Sequence, residues 1–351
     1  MNTSVTIDIM ETWNEQTIKE FRKTLLNWYD KEGRVHLPWR VNHDPYRVLV
    51  SEIMLQQTRV DTVIPYFDRF MTSLPTVGDL AIAPEDVVLK LWEGLGYYSR
   101  ARNLQKAAQF VVNELHGQWP ESSDNLQSLP GVGPYTAAAI ASISFNEVVP
   151  AVDGNQYRVF SRLLKIDADI ADAKSRKIFY DIIAPIVDPE RPGDFNQAIM
   201  DLGSSYMTTK NPDSLYSPVR EFNAAFRDGV EDQYPVKTKK QRPVKQLFMA
   251  SVFEKDGKLL FEKRPDNGLL AGFWTFPLTQ IESMESITGQ QLNIKPVTHI
   301  FTHRRWEIWL VKQETAMLND NQQYFSSDEW SALSLPKVQH KLLEKLYDTE
   351  S

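Results

Sequence analysis

The chain contains no cysteine, although it has 351 residues. This absence excludes disulfide bonds, zinc sites built on thiolates, cysteine-ligated iron–sulfur clusters and a cysteine nucleophile. Long apolar runs are missing too, and no stretch has the roughly 18 apolar residues of a membrane span, so we expect no membrane partner. The first eleven residues lack a basic start followed by an apolar run, so we expect no targeting signal and a cytoplasmic protein.

Positive charge is scarce as well. Aspartate and glutamate number 46 against 39 lysines and arginines, and the net charge of −7 argues weakly against a nucleic-acid partner. The deficit is uneven, because residues 236–245 carry +5, residues 246–351 carry −3 and the remainder carries −9. Any DNA binding by the acidic part must therefore depend on local geometry rather than on bulk charge.

Apolar residues are plentiful. Hydrophobic residues make up 42% of the chain and aromatic residues 11%, which suffices for two full-sized cores. Apolar positions spaced three and four apart predict an all-α domain over residues 1–227. The helices expected within it include segments at 46–55, 87–95, 101–115 and 137–143.

The pattern changes beyond residue 227. Residues 228–245 are expected to form a basic linker, and residues 246–351 an α+β domain. A Lys-Asp-Gly turn at 255–257 indicates a hairpin between two strands. The expected strands are at 246–253, 258–263, 299–301 and 306–311, and a helix is expected at 330–346. The fold class is therefore a multidomain chain, all-α and then α+β.

The strongest local motif is LPGVGPYTA at residues 129–137. Gly131 and Gly133 flank the small apolar Val132, which allows a tight turn with outward-facing backbone N–H groups. Before an alanine-rich helix, such donors form an anion site suited to a DNA phosphate, and they need no net positive charge. An ordinary corner between two helices is the alternative, since short glycine motifs are common.

Two carboxylates form a candidate catalytic pair. Glu52 lies in an apolar stretch, where burial would raise its pKa and keep it protonated. Asp153 lies just before a helical segment. A protonated glutamate and an ionised aspartate are the pair that breaks a bond at a sugar anomeric carbon. The alternatives are a partly exposed glutamate on a helix face and an aspartate that caps a helix.

In combination these segments resemble the helix–hairpin–helix superfamily of base-excision DNA glycosylases, and within it the MutY family of adenine DNA glycosylases. The matching segments are collinear: LPWR at 37–40, SEIMLQQT at 51–58, WEGLGYYSRARNL at 92–104, the hairpin, and VDGN at 152–155. The resemblance implies an enzyme of base-excision repair that removes adenine opposite 8-oxoguanine, or opposite guanine. Its partner would be double-stranded DNA, and we expect it to act as a monomer near the bacterial nucleoid.

The resemblance also implies a role for each matching residue. Glu52 matches the glutamate that protonates N7 of adenine, and Asp153 matches the aspartate that stabilises the oxocarbenium-like cation at C1′. Tyr135 and Asn155 match residues that support these two. The base must leave the stack to be reached, so the other matches line a pocket or contact DNA. They are Trp39 and Arg40 in the adenine pocket, and Gln57, Thr58, Tyr97, Gly131, Val132 and Gly133 on the DNA.

Tyr135 separates this chain from bifunctional relatives. Endonuclease III-like members have a lysine at this position, which forms a Schiff base and permits strand cleavage. The tyrosine therefore predicts a monofunctional glycosylase that leaves an abasic site. Two alternatives stay open: a bifunctional endonuclease III-like glycosylase and AP lyase, and a catalytically silent lesion-binding protein.

The chain departs from the family pattern at residues 207–223. MutY-like proteins have four cysteines here that hold a [4Fe–4S] cluster. The matching positions are Met207, Ser214, Ser217 and Asn223. None is a thiolate, so we expect no cluster, no other cofactor or metal, and a loop of the same path. Packing of Met207, Tyr216 and Phe222, together with side-chain hydrogen bonds, would stabilise this loop.

The second domain resembles the Nudix-like C-terminal domain of MutY proteins through LLAGFWTFP at 269–277. Nudix hydrolases continue with a glutamate-rich helix that binds metal. In residues 280–294 the only glutamates are Glu282 and Glu285, so neither pyrophosphate hydrolysis nor a bound metal is implied. The family's 8-oxoguanine recognition loop is matched by Phe301, Thr302 and His303, for which a plain strand end is the alternative. The basic linker is expected to follow the DNA backbone.

Overall fold

The computed structural model describes residues 13–238, 243–265, 267–293, 295–301, 303–314 and 318–348. By their contacts these residues form two compact units. The first unit runs to Ala83 and resumes over Ser99–Lys239, and the second consists of Pro84–Tyr98 and the chain from Lys240 onward. Residues 1–12, and Lys239, Lys240 and Arg242 of the predicted linker, lie outside the described residues. The boundaries at 227 and 246 stay a prediction.

The first unit is helical. In chain order the helices up to the linker are α1 (Glu15–Glu32), α2 (Pro45–Leu55), α3 (Val60–Ser73), α4 (Val77–Ile82), α5 (Glu85–Leu91, in the second unit), α6 (Ser99–Asn113), α7 (Ser123–Leu126), α8 (Pro134–Phe145), α9 (Gly154–Leu164), α10 (Ser175–Ile183), α11 (Pro192–Ser205) and α12 (Ala224–Arg227). Short 3₁₀ turns lie at Pro38–Arg40, Ala184–Ile186, Arg220–Phe222 and Glu231–Gln233. The predicted helices at 46–55, 101–115 and 137–143 are confirmed as α2, α6 and α8.

Helix α8 lies at the centre of this unit. Its small side chains are buried on every face, and it packs against α2, α7 and α11. A second core of aromatic rings joins α1, α9, α10 and α11 around Phe21, Phe160 and Phe195. Because α2, α8 and α9 begin or end next to one another in this packing, residues far apart in sequence reach one cavity.

The second unit contains two sheets. Its strands are β1 (Val244–Val252), β2 (Glu254–Lys255), β3 (Lys258–Lys263), β4 (Trp274–Thr275), β5 (Leu278–Ile281), β6 (Gln290–Gln291), β7 (Val297–Ile300), β8 (Arg304–Lys312) and β9 (Gln322–Phe325), with helices α13 (Ser327–Ser331) and α14 (Lys337–Asp348) and a 3₁₀ turn at Met284–Ser286. The five-stranded sheet has the order β5-β1-β8-β6, with β7 also on β8, and β1 runs parallel to β8. In the other sheet β2, β4 and β9 pair with β3.

Three predictions for local structure need correction. The helix predicted at 87–95 ends at Leu91, since Gly94 and Gly96 adopt positive φ angles of 99° and 70°. The helix predicted at 330–346 is divided into α13 and α14, because Pro336 between them lacks an amide N–H and restricts the residue before it. The strand predicted at 299–301 is β7, which ends at Ile300.

The predicted hairpin exists only at its turn. Asp256 and Gly257 have φ angles of 52° and 71°, as a two-residue primed turn requires, but only the two residues of β2 pair across it with β3. Strand β1 continues into the other sheet, where its partners are β5 and β8. In the described part of the chain no helix has both the length and the apolar character to cross a bilayer.

Candidate active site

One cavity of about 330 Å³ in the first unit brings most of the predicted site residues together. Glu52 comes from the buried helix α2, Tyr135 from the first turn of α8, and Asp153 from the residue before α9. The other predicted residues in its lining are Trp39, Arg40, Gln57, Thr58 and Asn155. The volume is near the lower end of small-molecule pockets, which span roughly 300–1,000 Å³.

Glu52 is a buried acid whose proton is held near neutral pH. Its residue is only 5% exposed, and the hydroxyl of Tyr135 donates a hydrogen bond to its Oε2. Burial raises the pKa of Glu52 to about 7; the negative charge of Asp153 adds to this, while the Tyr135 hydrogen bond and Arg40 oppose it. Glu52 can therefore be a proton donor at physiological pH, as predicted for a general acid.

Asp153 caps helix α9 and faces the cavity at the same time. Its Oδ1 accepts hydrogen bonds from the backbone N–H groups of Asn155 and Gln156 at 2.9 and 2.8 Å, and its Oδ2 accepts one from Asn155 Nδ2 at 2.6 Å. Burial raises the pKa of Asp153, while these hydrogen bonds and the charge of Arg158 act against the rise. The helix cap therefore positions the carboxylate for the pocket, and the two interpretations of this residue are compatible.

Arg40 is held by a carboxylate that the sequence did not indicate. Asp201 on α11 accepts hydrogen bonds from Arg40 Nη1 at 2.8 Å and Nη2 at 3.1 Å, and from Arg34 Nε at 2.8 Å. Burial acts to raise the pKa of Asp201, but the bonds and charges of the two arginines outweigh it and lower that pKa. The pair fixes the guanidinium of Arg40 in the wall of the cavity.

Asn155 is itself fixed by Arg158, a second residue missed at the sequence level. Arg158 Nη2 donates to Asn155 Oδ1 at 2.5 Å and to the carbonyl of Gly203 at 3.0 Å, and its Nε donates to the carbonyl of Met207 at 3.3 Å. A Cβ at Gly203 would lie 2.7 Å from Asn155 Cβ, so only glycine allows this approach. The aspartate, Asn155 and the start of the 207–223 loop are thus one connected structure.

The end of α2 is capped by Arg100 from α6. Its Nη1 donates to the carbonyls of Ile53 at 2.8 Å and Met54 at 3.2 Å, and to that of Gln56. Gln57 follows with a positive φ of 58° and an exposed side chain. Arg100 lies inside the segment 92–104 that carries the resemblance, and this was the available signal for its role.

The Gly131–Gly133 hairpin has the predicted turn. Gly131 has a φ of 76°, and a Cβ there would lie 2.6 Å from the Cβ of Asn103. Val132 is buried and its N–H bonds to the carbonyl of Leu129 at 3.1 Å, whereas Gly131 and Gly133 are exposed. The turn therefore presents backbone at the surface before the first turn of α8, and its contact with DNA stays a prediction.

The 207–223 region does not fit an iron–sulfur cluster. Its four ligand positions, Met207, Ser214, Ser217 and Asn223, are all buried. Ser214 donates to Glu231, and Asn223 Nδ2 donates to Ser214 Oγ at 3.1 Å and to Glu231 Oε1 at 3.0 Å. Hydroxyl and amide groups that bond to one another and to a carboxylate do not supply the thiolates that hold a [4Fe–4S] cluster. In the described residues no cluster of three or more His, Cys, Asp or Glu could hold a metal ion.

The predicted packing of this loop is right for two residues and wrong for one. Met207 is buried in the aromatic core, and Phe222 packs edge-on against Trp13 and Phe21. Tyr216 is 73% exposed and does not stabilise the loop by packing. It lies between Leu215 and the buried Ser217, where the chain turns its side chain outward.

The remaining predicted residues belong to the second unit. Tyr97 is 48% exposed and has a φ of 48°. Phe301 follows β7 and packs edge-on against Trp306, at 4.7 Å between ring centroids, and His303 is exposed. Thr302 lies outside the described residues.

Comparison with known proteins identifies both parts of the chain. The model of the HhH-GPD superfamily of base excision DNA repair proteins matches residues 50–185, and that of the NUDIX domain matches residues 248–345. The chain is 39% identical over 355 residues to the adenine DNA glycosylase of Mus musculus, covering 82% of this chain and 69% of the relative. It is 32% identical over 343 residues to that of Buchnera aphidicola subsp. Schizaphis graminum, covering 93% and 99%. The Arabidopsis thaliana enzyme is 39% identical, over 77% of this chain and 49% of its own.

Solved structures match the fold of part of the chain. A thermostable thymine-DNA glycosylase has a TM-score of 0.54 at 25% identity and covers 61% of this chain and 98% of its own. A non-covalent endonuclease III–DNA complex has a TM-score of 0.52 at 20% identity, covering 63% and 100%, and shows the shared fold alone. The chain therefore belongs to the adenine DNA glycosylase family, within the HhH-GPD superfamily of base excision DNA repair proteins.

Proposed function

We propose that the protein removes adenine mispaired with 8-oxoguanine, or with guanine, by hydrolysing the N-glycosidic bond and leaving an abasic site. The observation that carries this proposal is the meeting of Glu52, Tyr135 and Asp153 in one cavity.

Glu52 acts as the acid. Adenine is a poor leaving anion, so the bond to C1′ breaks readily only if the base takes up a proton. A glutamate with a pKa of about 7 is protonated in a large fraction of molecules near neutral pH and can deliver that proton to N7. When Glu52 becomes an anion, the Tyr135 hydroxyl already donates to its Oε2 and stabilises the charge.

Asp153 stabilises the sugar. As the N-glycosidic bond breaks, the electron pair of that bond leaves with adenine, and positive charge develops at C1′ and the ring oxygen. The carboxylate of Asp153, held by Asn155 and the N-terminus of α9, supplies the opposite charge at a fixed position. Water then adds to C1′ and gives its proton to the Glu52 carboxylate, which restores the acid and completes hydrolysis.

Tyr135 and the loop at Phe301 support the finer parts of the proposal. A hydroxyl committed to Glu52 offers no amine for a Schiff base, so strand cleavage is not part of the reaction. The exposed His303, next to the anchored Phe301, offers ring nitrogens to the altered edge of 8-oxoguanine. The hydrogen-bonded Ser214, Asn223 and Glu231 take the place of a cluster in holding the 207–223 loop.

A gel assay tests the proposal. A duplex with adenine opposite 8-oxoguanine is incubated with wild type, Glu52→Gln, Asp153→Asn and the exposed control Glu190→Gln, and then treated with alkali. We expect alkali-dependent cleavage with wild type and the control, and none with the two pocket variants. Cleavage by wild type without alkali, or an adduct trapped by borohydride, would indicate a lyase. Tight binding by wild type with no cleavage would indicate a silent lesion-binding protein.

A further inference from the structure

The segment Pro84–Tyr98 interrupts the helical unit in sequence but packs with the Nudix-like unit. It consists of α5 and a loop that ends in Tyr97 and Tyr98. Tyr97 is one of the residues that the resemblance places in contact with DNA. Residues 280–294 lack the glutamate-rich sequence of a metal-binding Nudix helix, so the contacts of the Nudix-like unit with this segment point to another role.

The loop after α5 is built to expose Tyr97. Gly94, Gly96 and Tyr97 all have positive φ angles, of 99°, 70° and 48°. Trp92 Nε1 donates to the carbonyl of Gly96 at 3.2 Å, and the hydroxyl of Tyr98 accepts from the N–H of Gly94 at 3.3 Å. Trp92 and Tyr98 are buried, whereas Tyr97 is about half exposed. Holding a non-glycine residue at a positive φ costs free energy, which surrounding contacts must supply.

Phe273 packs against this loop. Its ring is 1% exposed and lies 4.1 Å from the ring of Tyr98, between centroids. It follows Gly272, which has a φ of 69°, and its carbonyl accepts from the N–H of Arg264 at 2.8 Å. Phe273 belongs to the LLAGFWTFP stretch, which therefore has a packing partner although the hydrolase motif after it is missing.

A contact from α14 holds the start of the same loop. His340 Nε2 lies 3.1 Å from Glu93 Oε1, and Lys90 Nζ lies 2.7 Å from Glu93 Oε2. Lys90 also donates to the carbonyl of Ser331, the last residue of α13, at 3.4 Å. Contacts from two separate parts of the Nudix-like unit, the 269–277 stretch and the α13–α14 region, therefore converge on residues 90–98.

We propose that Phe273 and His340 are positioning residues for Tyr97. The LLAGFWTFP stretch of the Nudix-like unit then has a structural rather than a catalytic role. It holds the 93–98 loop in the conformation that presents Tyr97 to damaged duplex DNA. This inference rests on the proposed function, because Tyr97 acts on DNA only in that context. Phe273 then affects mispair binding only by positioning Tyr97.

A double-mutant cycle tests this coupling. Binding to a duplex with adenine opposite 8-oxoguanine is measured for Tyr97→Ala, Phe273→Leu and the combination, with Phe325→Leu as a matched core control in the same unit. We expect each of Tyr97→Ala and Phe273→Leu to weaken binding about tenfold, and the combination to be no weaker than Tyr97→Ala alone. Phe325→Leu should combine additively with Tyr97→Ala. If the double variant weakens binding by the product of the two single effects, Phe273 and Tyr97 act independently and the proposal is overturned.

Hydrogen exchange of the peptide covering residues 89–99 provides a readout that does not depend on DNA. Exchange should increase at least severalfold in Phe273→Leu and in His340→Ala, where the replaced imidazole is 42% exposed, and stay unchanged in Phe325→Leu. Unchanged exchange in the first two variants refutes the positioning role, even if wild type excises adenine. If wild type does not excise adenine, the proposed function fails, and the exchange result still decides whether these residues hold the loop. Wild-type excision with full binding by Tyr97→Ala would also overturn the inference.

Discussion

The hydroxyl of Tyr135 donates a hydrogen bond to Oε2 of Glu52, and Asp153 lines the same cavity. Burial, and then the charges of the two carboxylates, raise the pKa of Tyr135 well above its ordinary value, so it stays a donor. The same bond lowers the pKa of Glu52, against the larger effect of burial. The pair thus sets the pH at which Glu52 loses its proton.

Replacing Tyr135 with phenylalanine should change the pH profile of adenine release. The acid form of Glu52 is the active one, so activity falls as pH rises through its pKa of about 7. Loss of the hydroxyl raises that pKa further and moves the descending limb to higher pH. The maximum rate should also fall, by about tenfold or more, because the new anion loses a charge-assisted bond of roughly 1.5–3 kcal/mol. Single-turnover rates from pH 5 to 9 measure both effects. Tyr206→Phe, outside the pocket, is the control, and an unmoved limb contradicts the assignment of Glu52 as the acid.

Glu52 should also make stability depend on pH. Its folded-state pKa is raised above the unfolded value, so its favourable contribution is complete below the unfolded pKa and is lost as pH rises through about 7. The Glu52→Gln variant is free of this loss. It should become more stable relative to wild type between about pH 4 and pH 8, by an amount approaching about 3 kcal/mol. Urea unfolding of the two proteins across this range measures the difference, and parallel stability curves would refute the raised pKa.

Asp201 should be essential for the stability of the pocket wall. The side chain of Arg40 is only 8% exposed, so Asp201→Asn leaves a buried guanidinium without its counter-charge. Removing one partner of a buried pair typically destabilises by about 3–5 kcal/mol. The more exposed pair of Arg191 and Asp194 is the matched control, and Asp194→Asn should cost roughly 0–1 kcal/mol. The pKa of Asp201 is lowered in the folded state, so its contribution is lost only as pH falls through that lowered value. Similar unfolding free energies for the two variants at pH 7 would contradict this reasoning.

The hydrogen bonds among Ser214, Asn223 and Glu231 should stabilise the 207–223 loop. Asn223→Ala removes three hydrogen bonds, the two donated by Nδ2 and the α12 cap bond from the N–H of Phe226, and leaves the Glu231 carboxylate less well paired, at a cost of about 1–3 kcal/mol. The carbonyl of Met207 bonds to Arg158, which holds Asn155, so adenine release should slow as well. Hydrogen exchange over residues 207–223 and single-turnover rates measure these effects, with the exposed Asn113→Ala as control. Wild type that purifies with iron and sulfide would show that the loop is held in another way.

Which features of the fold and the site could be predicted depends on whether a short stretch of sequence encodes them. Glu52, Tyr135 and Asp153 each lie in a short segment with a distinct pattern, and the cavity that joins them follows from the helical fold. Asp201 gave no such signal, because its role depends on Arg40 and Arg34, which approach it only after α1 and α11 pack. Likewise the parallel pairing of β1 with β8 joins residues about sixty positions apart, whereas the Asp256–Gly257 turn is encoded locally.

Gly131 and Gly133 should differ sharply when each is replaced by alanine. Gly131 has a φ of 76°, which costs an alanine about 1–2 kcal/mol, and the new Cβ would lie 2.6 Å from that of Asn103. Gly131→Ala should therefore destabilise the unit and distort the hairpin. Gly133 has a φ of −85° and open space around its Cβ position, so Gly133→Ala should leave stability unchanged. If the hairpin backbone binds a phosphate, Gly133→Ala should still weaken binding, because its methyl group stands between backbone and DNA. Unfolding and duplex-binding measurements on both variants separate the two effects, and full DNA binding by a folded Gly133→Ala would mean that this turn is an ordinary corner between helices.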